Sequence, residues 1–401
     1  MINFAPPRID EKIIEAVSET LRSGWITTGP KTKLLEKKLS EYCGVTQALC
    51  LNSATAGLEL ALRWYGVGPG DEVIVPAYTY AATANVVIHC GAIPVLADVN
   101  KDDLCISAEA IEKAITTKTK VIMPVDFGGL PCNYDLIYAI AEKAKKDFQA
   151  ANEQQKKLGR ILILSDAAHS LGATYKGRNA GKLADISVFS FHAVKNLTTA
   201  EGGAMVFNLP APFDNALIYK QLSITSLHGQ TKDAMAKMQK GNWKYDIVEA
   251  GYKCNMTDLA ATMGLIELER YTSDTLPKRK AIIDAYYNFF SVYSWAELPV
   301  LKDEERESSY HLFPLRIKDI TEEQRDKIIQ KIFDRDVAVN VHFIPLPMMS
   351  FYKNMGYEMN DYPVTYNNFS REISLPVYYD LSMEEIAIVT KAVRESVMEV
   401  L

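Results

Sequence analysis

Residues 161–207 read ILILSDAAHSLGATYKGRNAGKLADISVFSFHAVKNLTTAEGGAMVF. Three apolar runs stand in this stretch, at residues 161–164, 186–189 and 204–207. Polar residues follow the first two runs at once, and two glycines precede the third. Short runs without alternation are typical of strands that are buried on both faces of a sheet. The stretch therefore predicts neighbouring strands in the interior of an α/β sheet.

Four further apolar runs precede this stretch and are separated from one another by helical patterns: residues 48–51, 72–75, 93–97 and 121–125. Seven short strands that alternate with helices predict a mostly parallel α/β sheet of seven strands. In an open sheet of this kind, ligands bind at the edge where the strands end. We therefore expect functional residues directly after the strands.

The C-terminal part of the chain has a different pattern. The segments after Pro277 alternate between helical and strand-like character: residues 278–293, 310–317, 322–335, 337–343 and a last helix from Met383. This alternation predicts a small α+β domain, so we expect a large domain at residues 1–275 and a small C-terminal domain at residues 276–401. Within the large domain, the polar residues 143–159 predict an extended surface helix.

The composition excludes several classes of protein. The chain has 401 residues, with 44 Lys and Arg against 50 Asp and Glu, a formal net charge of −6. This mild acidity argues against nucleic acid as a partner, because phosphate binding needs clustered basic residues. The first residues resemble no signal peptide, and no apolar stretch is long enough to cross a membrane, so we expect a cytoplasmic protein. None of the six cysteines forms a C-x-x-C pair or a Cys/His cluster with zinc spacing, so no metal site is expected.

Two strand ends carry ionisable side chains. Asp166 follows the run at residues 161–164, where a carboxylate reaches the edge of the sheet; the alternative is a plain helix N-cap. Lys195 follows the run at residues 186–189, next to His192. Burial there would lower the pKa of the lysine and make its amine a nucleophile. The alternative is an ordinary solvated lysine.

Two other strand ends carry groups that suit an anion and an aromatic ligand. The segment NSATAGLELAL (52–62) places Thr55 and Ala56 between a strand and an apolar helix. The free N–H groups and the dipole of the helix favour an anion there, and simple capping of the helix is the alternative. The segment PAYTYAATAN (76–85) places Tyr80 after a strand, with core packing as the alternative.

The four strand ends are more informative together than separately. Pyridoxal phosphate needs an anion site for its phosphate, an aromatic ring for stacking, a carboxylate at its pyridine nitrogen and an amine that condenses with its aldehyde. Successive strand ends supply these groups in that order. The sequence has no G-x-x-x-x-G-K-[ST] loop and no G-x-S-x-G elbow, and GVGPGD (66–71) lacks the third glycine of a dinucleotide fingerprint. The sequence therefore predicts a pyridoxal-phosphate site.

Over nearly its whole length, the chain resembles the DegT/DnrJ/StrS sugar aminotransferase family of fold-type-I pyridoxal-phosphate enzymes. The motifs that carry the resemblance are SGWITTGPK (23–31), NSATAGLELAL (52–62), GDEVIVPAYTYAATANVV (70–87), SDAAHSLGATYKGR (165–178), FSFHAVKNLTTAEGG (189–203), GYKCNMTDLAAT (251–262) and HFIPL (342–346). The resemblance implies an aspartate-aminotransferase-like large domain with a small C-terminal domain. Within the family, the variants SATAG, FHA-x-KN and GYK-x-N-[LM]TD are most similar to those of enzymes that make UDP-4-amino-4-deoxy-L-arabinose.

The resemblance also implies a role for individual residues. Lys195 and Asp166 are the implied catalytic pair, Lys195 bonding to the cofactor aldehyde and moving the proton while Asp166 pairs with the pyridine nitrogen. The other implied cofactor contacts are His169 at the phenolic oxygen, Tyr80 stacked on the ring, Thr55, Ala56 and Ser190 at the phosphate, and Asn255 from a second subunit. The implied substrate contacts are His192, Lys253 and His342.

The chain departs from the common pattern of the family in two places. Many members have G-Y-N-x-R where this chain has Lys253 and Asn255, and many have His where this chain has Pro347. Both departures concern the sugar and donor contacts, and neither concerns the pyridoxal-phosphate chemistry of Lys195 and Asp166.

The function implied by the resemblance is transamination. The amino group is expected to come from L-glutamate and to go to a nucleotide-linked keto sugar, most simply a UDP-4-keto sugar, for a surface polysaccharide or lipopolysaccharide; a homodimer is also implied. One alternative is a sugar dehydratase of the same family, in which His replaces the lysine, and Lys195 argues against it. A non-catalytic regulatory protein is a second alternative, which the complete set of Asp166, His169 and Lys195 disfavours. A pyridoxal-phosphate enzyme for amino acids is the third, and the motifs bring no obvious carboxylate-binding Arg with them.

Overall fold

The computed structural model describes residues 1–237 and 241–401. Its helices are α1 (Glu11–Arg22), α2 (Pro30–Cys43), α3 (Ala54–Trp64), α4 (Ala81–His89), α5 (Ala108–Ala114), α6 (Tyr134–Ala144), α7 (Glu153–Leu158), α8 (Asn215–Thr225), α9 (Ala234–Lys237), α10 (Asp258–Arg270), α11 (Leu276–Phe290), α12 (Glu322–Phe333), α13 (Ser350–Asn354), α14 (Pro363–Phe369) and α15 (Met383–Met398). Its strands are β1 (Gln47–Leu51), β2 (Glu72–Pro76), β3 (Ile93–Ala97), β4 (Thr119–Ile122), β5 (Leu162–Asp166), β6 (Thr174–Tyr175), β7 (Arg178–Asn179), β8 (Ile186–Ser190), β9 (Gly203–Phe207), β10 (Ala296–Glu297), β11 (Arg306–Glu307), β12 (Phe313–Ile317) and β13 (Glu372–Leu375).

Seven strands form one large sheet in the order β1-β9-β8-β5-β4-β2-β3. All seven apolar runs identified in the sequence lie in it, so the predicted mostly parallel, seven-stranded α/β sheet is confirmed. Only β9 runs against its neighbours, pairing antiparallel with β1 and β8. The chain returns from β8 to β9 without a crossover helix, as an antiparallel neighbour allows. Gly203 at the start of β9 therefore lies opposite both Leu51 and Ser190, at the edge where β1 and β8 end.

Helices cover both faces of this sheet. Alternate residues of one strand belong to two different apolar cores: Ile163 of β5 packs into one, and Leu162 and Leu164 pack into the other. Burial on both faces explains why the strands read as continuous apolar runs rather than as alternating ones. The apolar side chains of the strands thus fill the two cores. The polar residues that follow the strands lie at the edge where the strands end.

The C-terminal part contains a second, smaller sheet. Its strands lie in the order β10-β12-β13 and are antiparallel. A third apolar core, formed by residues between Ile282 and Val397, packs against it. The predicted boundary between residues 275 and 276 stays a prediction. Within residues 1–237 and 241–401, no helix is both long enough and apolar enough to cross a membrane.

The prediction of one extended helix over residues 143–159 is wrong. Helix α6 ends at Ala144, a short 3-10 turn follows, and α7 begins only at Glu153. Phe148 between the helices packs against the core, and Asn152 caps α7 by accepting a hydrogen bond from the N–H of Gln155 at 3.0 Å. A partly buried aromatic anchor and a side-chain cap outweigh the helical propensity of the polar residues around them.

The prediction of a strand at residues 337–343 is also wrong. The segment makes single bridges, from Val337 to Ile2 and from Asn340 to Ser374, and no continuous ladder. Beyond Asn340, the N–H of His342 donates to the side chain of Glu372 at 2.9 Å rather than to a strand backbone. At His342 a bond to a side chain of β13 thus takes the place of a backbone ladder bond, and His342 lines a cavity at the end of the large sheet.

Candidate active site

A cavity of about 560 Å³ lies at the edge where the strands of the large sheet end. Its walls come from both parts of the molecule. The segments after β1, β2, β5 and β8 contribute residues that the sequence singled out, namely Thr55, Tyr80, Asp166, His169, Ser190, His192 and Lys195. The C-terminal part contributes His311, Asn340, Val341, His342 and Phe343, and the N-terminus contributes Phe4 and Ala5. The predicted strand-end residues thus meet at one place.

Asp166 ends β5 as a buried carboxylate. The hydroxyl of Thr83 donates to its Oδ2 at 2.8 Å, and the N–H of Ala168 donates to its Oδ1 at 3.3 Å. Burial raises the pKa of Asp166, while these two hydrogen bonds and the nearby ammonium group of Lys195 act in the opposite direction. A cation placed at this carboxylate would be stabilised, as the protonated pyridine nitrogen of pyridoxal phosphate requires.

Lys195 stands on the turn that joins β8 to β9. Its backbone N–H donates to the carbonyl of His192 at 2.9 Å, and the N–H of Thr199 donates to Phe191 at the same distance, which makes the turn compact. Burial lowers the pKa of the Lys195 amine to about 8, and the negative charge of Asp166 opposes that shift. A much larger share of this amine than of a solvated lysine is therefore unprotonated near neutral pH, which is the nucleophilic form.

The first turn of α3 forms a cradle for an anion. Ser53 caps the helix by accepting a hydrogen bond from the N–H of Ala56 at 3.1 Å. In the part of the chain that the structure describes, the N–H groups of Ala54 and Thr55 donate to no protein acceptor. A Cβ on Gly203 would lie 2.4 Å from the nitrogen of Ala54, so only glycine lets β9 approach this turn so closely. The arrangement fits a phosphate at a helix N-terminus.

Of the three predicted phosphate contacts, two line the cavity and one does not. Thr55 and Ser190 line the cavity. Ala56 does not line it, and its N–H is already taken by Ser53. The roles assigned to these three residues stay predictions, and the geometry favours Thr55 and Ser190 over Ala56.

Aromatic rings and imidazoles line the rest of the cavity. The ring of Tyr80 lines the cavity, is largely exposed, and lies 6.0 Å from the ring of Phe343, so it offers accessible aromatic surface to a ligand. His169 is buried, and its Nδ1 has no hydrogen-bond partner in the described parts of the chain. Burial lowers the pKa of His169 well below its usual value. A neutral imidazole at this place can contact the ring or the phenolic oxygen of a cofactor.

The predicted substrate contacts are divided between two places. His192 lines the cavity, and its Nε2 lies 3.8 Å from Glu201. His342 also lines the cavity, and its Nδ1 shares a hydrogen bond of 2.9 Å with the hydroxyl of Ser374. Burial and the charge of Lys195 lower the pKa of His342 to about 3, so this imidazole is neutral at neutral pH. Both residues are accessible to a ligand.

Asn255 and Lys253 do not line the cavity of their own chain. The side chain of Asn255 donates to Thr28 at 2.5 Å and accepts from Lys253, and its backbone bridges to Leu51 of β1. The two residues therefore form a polar pair beside the end of β1, next to the segment that leads into α3. The roles predicted for Asn255 and Lys253 stay predictions.

Sequence reasoning missed several residues of the site. Thr83 stands three residues after Tyr80, and this helical spacing could have shown that it faces the same strand end. His311 and Phe343 gave no such signal, because neither follows a strand of the large sheet. Near His311, the N–H of Ser309 donates to Gly129 at 3.1 Å and that of Leu312 to Gly128 at 3.3 Å, which ties the C-terminal part to the segment after β4. The ring of Phe343 lies 6.2 Å from that of Phe127 in the same segment.

Comparison with known proteins identifies relatives along the whole chain. The sequence profile of the DegT/DnrJ/EryC1/StrS aminotransferase family matches residues 7–394. The spore coat polysaccharide biosynthesis protein SpsC of Bacillus subtilis is 36% identical over 401 residues, which cover 98% of this chain and 96% of SpsC.

Solved structures show the same fold. The putative sugar aminotransferase Spr1654 from Streptococcus pneumoniae, in its PMP form, has a TM-score of 0.97 and 49% identity, with 100% of both chains covered. Its PLP form has a TM-score of 0.95 and 47% identity, with 100% of this chain and 99% of that chain covered. PseC of Helicobacter pylori, described as an aminotransferase involved in the biosynthesis of pseudoaminic acid, has a TM-score of 0.86 and 27% identity, with 99% of both chains covered. These neighbours agree with a fold-type-I large domain and with pyridoxal phosphate as the cofactor.

Proposed function

The chain belongs to the DegT/DnrJ/EryC1/StrS aminotransferase family, and from this premise we propose that it transfers an amino group from L-glutamate to a nucleotide-linked keto sugar. The family is pyridoxal-phosphate-dependent, and the preferred acceptor in this proposal is a UDP-4-keto sugar. The observation that carries the proposal is the meeting of Lys195, Asp166 and the α3 cradle in one cavity. An amine, a carboxylate and an anion site are the three groups that the cofactor needs from the protein.

The residues of the cavity have separate tasks in this reaction. Pyridoxal phosphate, when bound, supplies an electron-withdrawing ring that stabilises negative charge on the carbon that loses a proton. Asp166 would hold a proton at the pyridine nitrogen, and the N–H groups of Ala54 and Thr55 would hold the phosphate. The amine of Lys195, with its pKa near 8, takes up a proton at Nζ in one step and returns it in another, which is the task of a general base and acid.

The sugar part of the proposal rests on relatives and on motifs. SpsC is named for polysaccharide biosynthesis, and PseC for the biosynthesis of pseudoaminic acid, which supports a surface glycan as the destination of the product. The variants SATAG, FHA-x-KN and GYK-x-N support UDP as the carrier and C4 as the aminated carbon. The six cysteines are unpaired and buried, as suits the expected cytoplasmic enzyme.

A homodimer is part of the proposal. Asn255 and Lys253 lie outside the cavity of their own chain, although their motif is one that the family uses at the phosphate or the substrate. The simplest arrangement in which they serve a cavity is one in which each chain lends them to its partner.

The absorbance spectrum of the purified protein, recorded before and after addition of L-glutamate, tests the proposal. We expect a visible band from the cofactor bound to Lys195 and its replacement by the band of the pyridoxamine form. UDP- and dTDP-linked 4-keto sugars are then added to the pyridoxamine form, and return of the first band identifies the acceptor. A protein that takes up no cofactor would contradict the assignment of Lys195, and one that binds it but ignores every keto sugar would contradict the proposed reaction.

A further inference from the structure

His311 is an imidazole in the cavity to which no motif of the sequence assigned a role. It precedes β12 in the C-terminal part and is buried, with 5% of its surface exposed. Its ring centroid lies 4.3 Å from that of His169, so it stands beside the predicted position of the cofactor. It therefore borders the place where a substrate would react.

The hydrogen bonds of Asn196 fix which nitrogen of His311 carries the proton. The amide Nδ2 of Asn196 donates to the carbonyl of Ser309 at 2.7 Å, so its Oδ1 remains as an acceptor. His311 Nδ1 lies 2.8 Å from this Oδ1 and must donate to it. A neutral imidazole with its proton on Nδ1 has only a lone pair on Nε2. In the described parts of the chain no group bonds to this Nε2.

The surroundings keep His311 neutral. Burial lowers its pKa well below the usual value, and the positive charge of Lys195 and Arg279, with the imidazoles of His169 and His342, acts in the same direction. Asn196 on the other side of the ring is uncharged. His311 Nε2 is therefore a hydrogen-bond acceptor at neutral pH.

The backbone around His311 is held by a buried arginine. Arg279 of α11 donates from Nε to the carbonyl of Tyr310 at 2.9 Å and from Nη2 to that of His311 at 2.7 Å. Tyr310 has a left-handed φ of 56°, which is unfavourable for a tyrosine and needs support of this kind. In the part of the chain that the structure describes, no carboxylate lies within ion-pair distance of Arg279. A buried guanidinium that hydrogen-bonds to this turn indicates that the position of His311 has to be held accurately.

We propose that His311 Nε2 accepts a hydrogen bond from a hydroxyl group of the keto-sugar substrate and thereby helps the enzyme to select a sugar for the second half of the reaction. This inference rests on the proposed function. The two substrates differ in the groups that they can offer to a pure acceptor: a sugar has free hydroxyl donors, whereas L-glutamate, apart from the amino group that reacts, has carboxylates, which are acceptors only. Arg279 and Asn196 are positioning residues, because they act through His311.

The two half-reactions separate this role from a structural one. In His311→Phe the flat ring remains against His169 while the acceptor is lost. Stopped-flow absorbance at a series of L-glutamate concentrations follows the first half-reaction, and the pyridoxamine form mixed with a UDP-4-keto-6-deoxyhexose follows the second. We expect the first to stay within about threefold of the wild type and the second to fall about 10- to 100-fold, the range expected for a lost hydrogen bond to a buried group.

Two further variants and one measurement without turnover make the test decisive. His311→Gln carries an amide oxygen near the position of Nε2 and should recover part of the sugar half-reaction. His89→Gln, at an exposed histidine outside the cavity, should match the wild type in both. In the apoprotein, ¹⁵N-histidine NMR should show His311 with its proton on Nδ1 between pH 6 and 9, and Asn196→Ala should abolish that preference.

The outcomes distinguish this inference from the proposed function. If the wild type converts the keto sugar and His311→Phe does so equally well, the assignment of His311 is wrong while the proposed function stands. If His311→Phe slows both half-reactions equally, the residue has a structural role and the inference is wrong. If the wild type reacts with L-glutamate but with no UDP-keto sugar, the proposed acceptor is wrong, and the inference falls with it.

Discussion

At the scale of single residues, Lys195 gives the most direct prediction about pH. Its amine has a pKa of about 8 because it is buried, whereas a solvated lysine titrates near 10.4. The unprotonated form therefore appears as the pH rises through about 8. We expect the rate at which trinitrobenzenesulfonate modifies Lys195 in the apoprotein, followed by peptide mass spectrometry, to have its midpoint there.

Two comparisons test the cause of that midpoint. A free model amine in the same solution should titrate at its ordinary pH. In Asp166→Asn, the carboxylate that raises the pKa of Lys195 is gone, so the midpoint should move below that of the wild type. A midpoint near 10 in the wild type would mean that Lys195 is solvated and would remove the physical basis for its assignment.

Asp166→Asn also tests the role of the carboxylate at the cofactor. Asn has nearly the same shape, so binding of pyridoxal phosphate should be largely retained. It cannot hold a positively charged pyridine nitrogen by ion pairing, so turnover should fall at least about 100-fold. Cofactor content from absorbance and turnover from coupled detection of 2-oxoglutarate give the two numbers. Normal turnover would contradict the role given to Asp166.

Thr83 is a residue that the sequence analysis missed, and it makes its own prediction. Its hydroxyl donates to Asp166 Oδ2 at 2.8 Å and lies 2.9 Å from the hydroxyl of Thr79. Thr83→Val keeps the shape but removes a hydrogen bond that lowers the pKa of Asp166. We expect turnover to fall about 10-fold, as for one buried hydrogen bond. Thr83→Ser keeps the hydroxyl and should be close to the wild type; equal activity in all three proteins would show that this bond has no role.

At the scale of secondary-structure elements, the contact between β9 and the first turn of α3 holds the anion cradle. A Cβ on Gly203 would lie 2.4 Å from the nitrogen of Ala54 and 2.6 Å from the carbonyl carbon of Ser53, both of them backbone atoms. Gly203→Ala must therefore push the helix start away from the strand. We expect the free energy of unfolding in urea to fall by about 1–3 kcal/mol and pyridoxal phosphate to bind more weakly.

Gly68→Ala is the matched control, because a Cβ there meets nothing within 4 Å and no positive φ is involved. It should leave both the stability and the cofactor affinity unchanged. Equal cofactor affinity in Gly203→Ala and Gly68→Ala would show that the α3 turn is not the phosphate site.

The same scale explains which elements could be predicted from the sequence. The strands of the large sheet are buried on both faces, so their apolar runs carry a strong local signal. Strand β13 was missed because Glu372 and Ser374 interrupt its apolar residues, and both are buried there by contacts with His342. Such contacts join segments about 30 residues apart, and no local pattern contains them.

At the scale of the whole molecule, only some of the residues that line the cavity could be predicted from the sequence. Asp166 and Lys195 could be found because each follows a strand, and strand ends in one sheet share an edge. His311 and Phe343 could not, since their place depends on how the C-terminal part packs against the large sheet. On the cofactor side most residues could thus be predicted, whereas on the substrate side the motifs pointed to His192 and His342 but not to His311, whose place depends on tertiary contacts.

The proposed dimer gives the prediction that belongs to the whole assembly. If Asn255 serves the cavity of the partner, a chain with Lys195→Ala and a chain with Asn255→Ala can complement each other. In a mixed dimer, one cavity combines both substitutions and is inactive, while the other combines an intact Lys195 with an intact Asn255. After unfolding and refolding of an equal mixture, about half of the dimers are mixed, so roughly a quarter of the wild-type activity should return.

If Asn255 served its own chain, every cavity would keep one of the two substitutions, and mixing would restore nothing. Light scattering on each variant alone, with the mass expected to be twice the 44.8 kDa of one chain, shows that both substitutions leave the assembly intact.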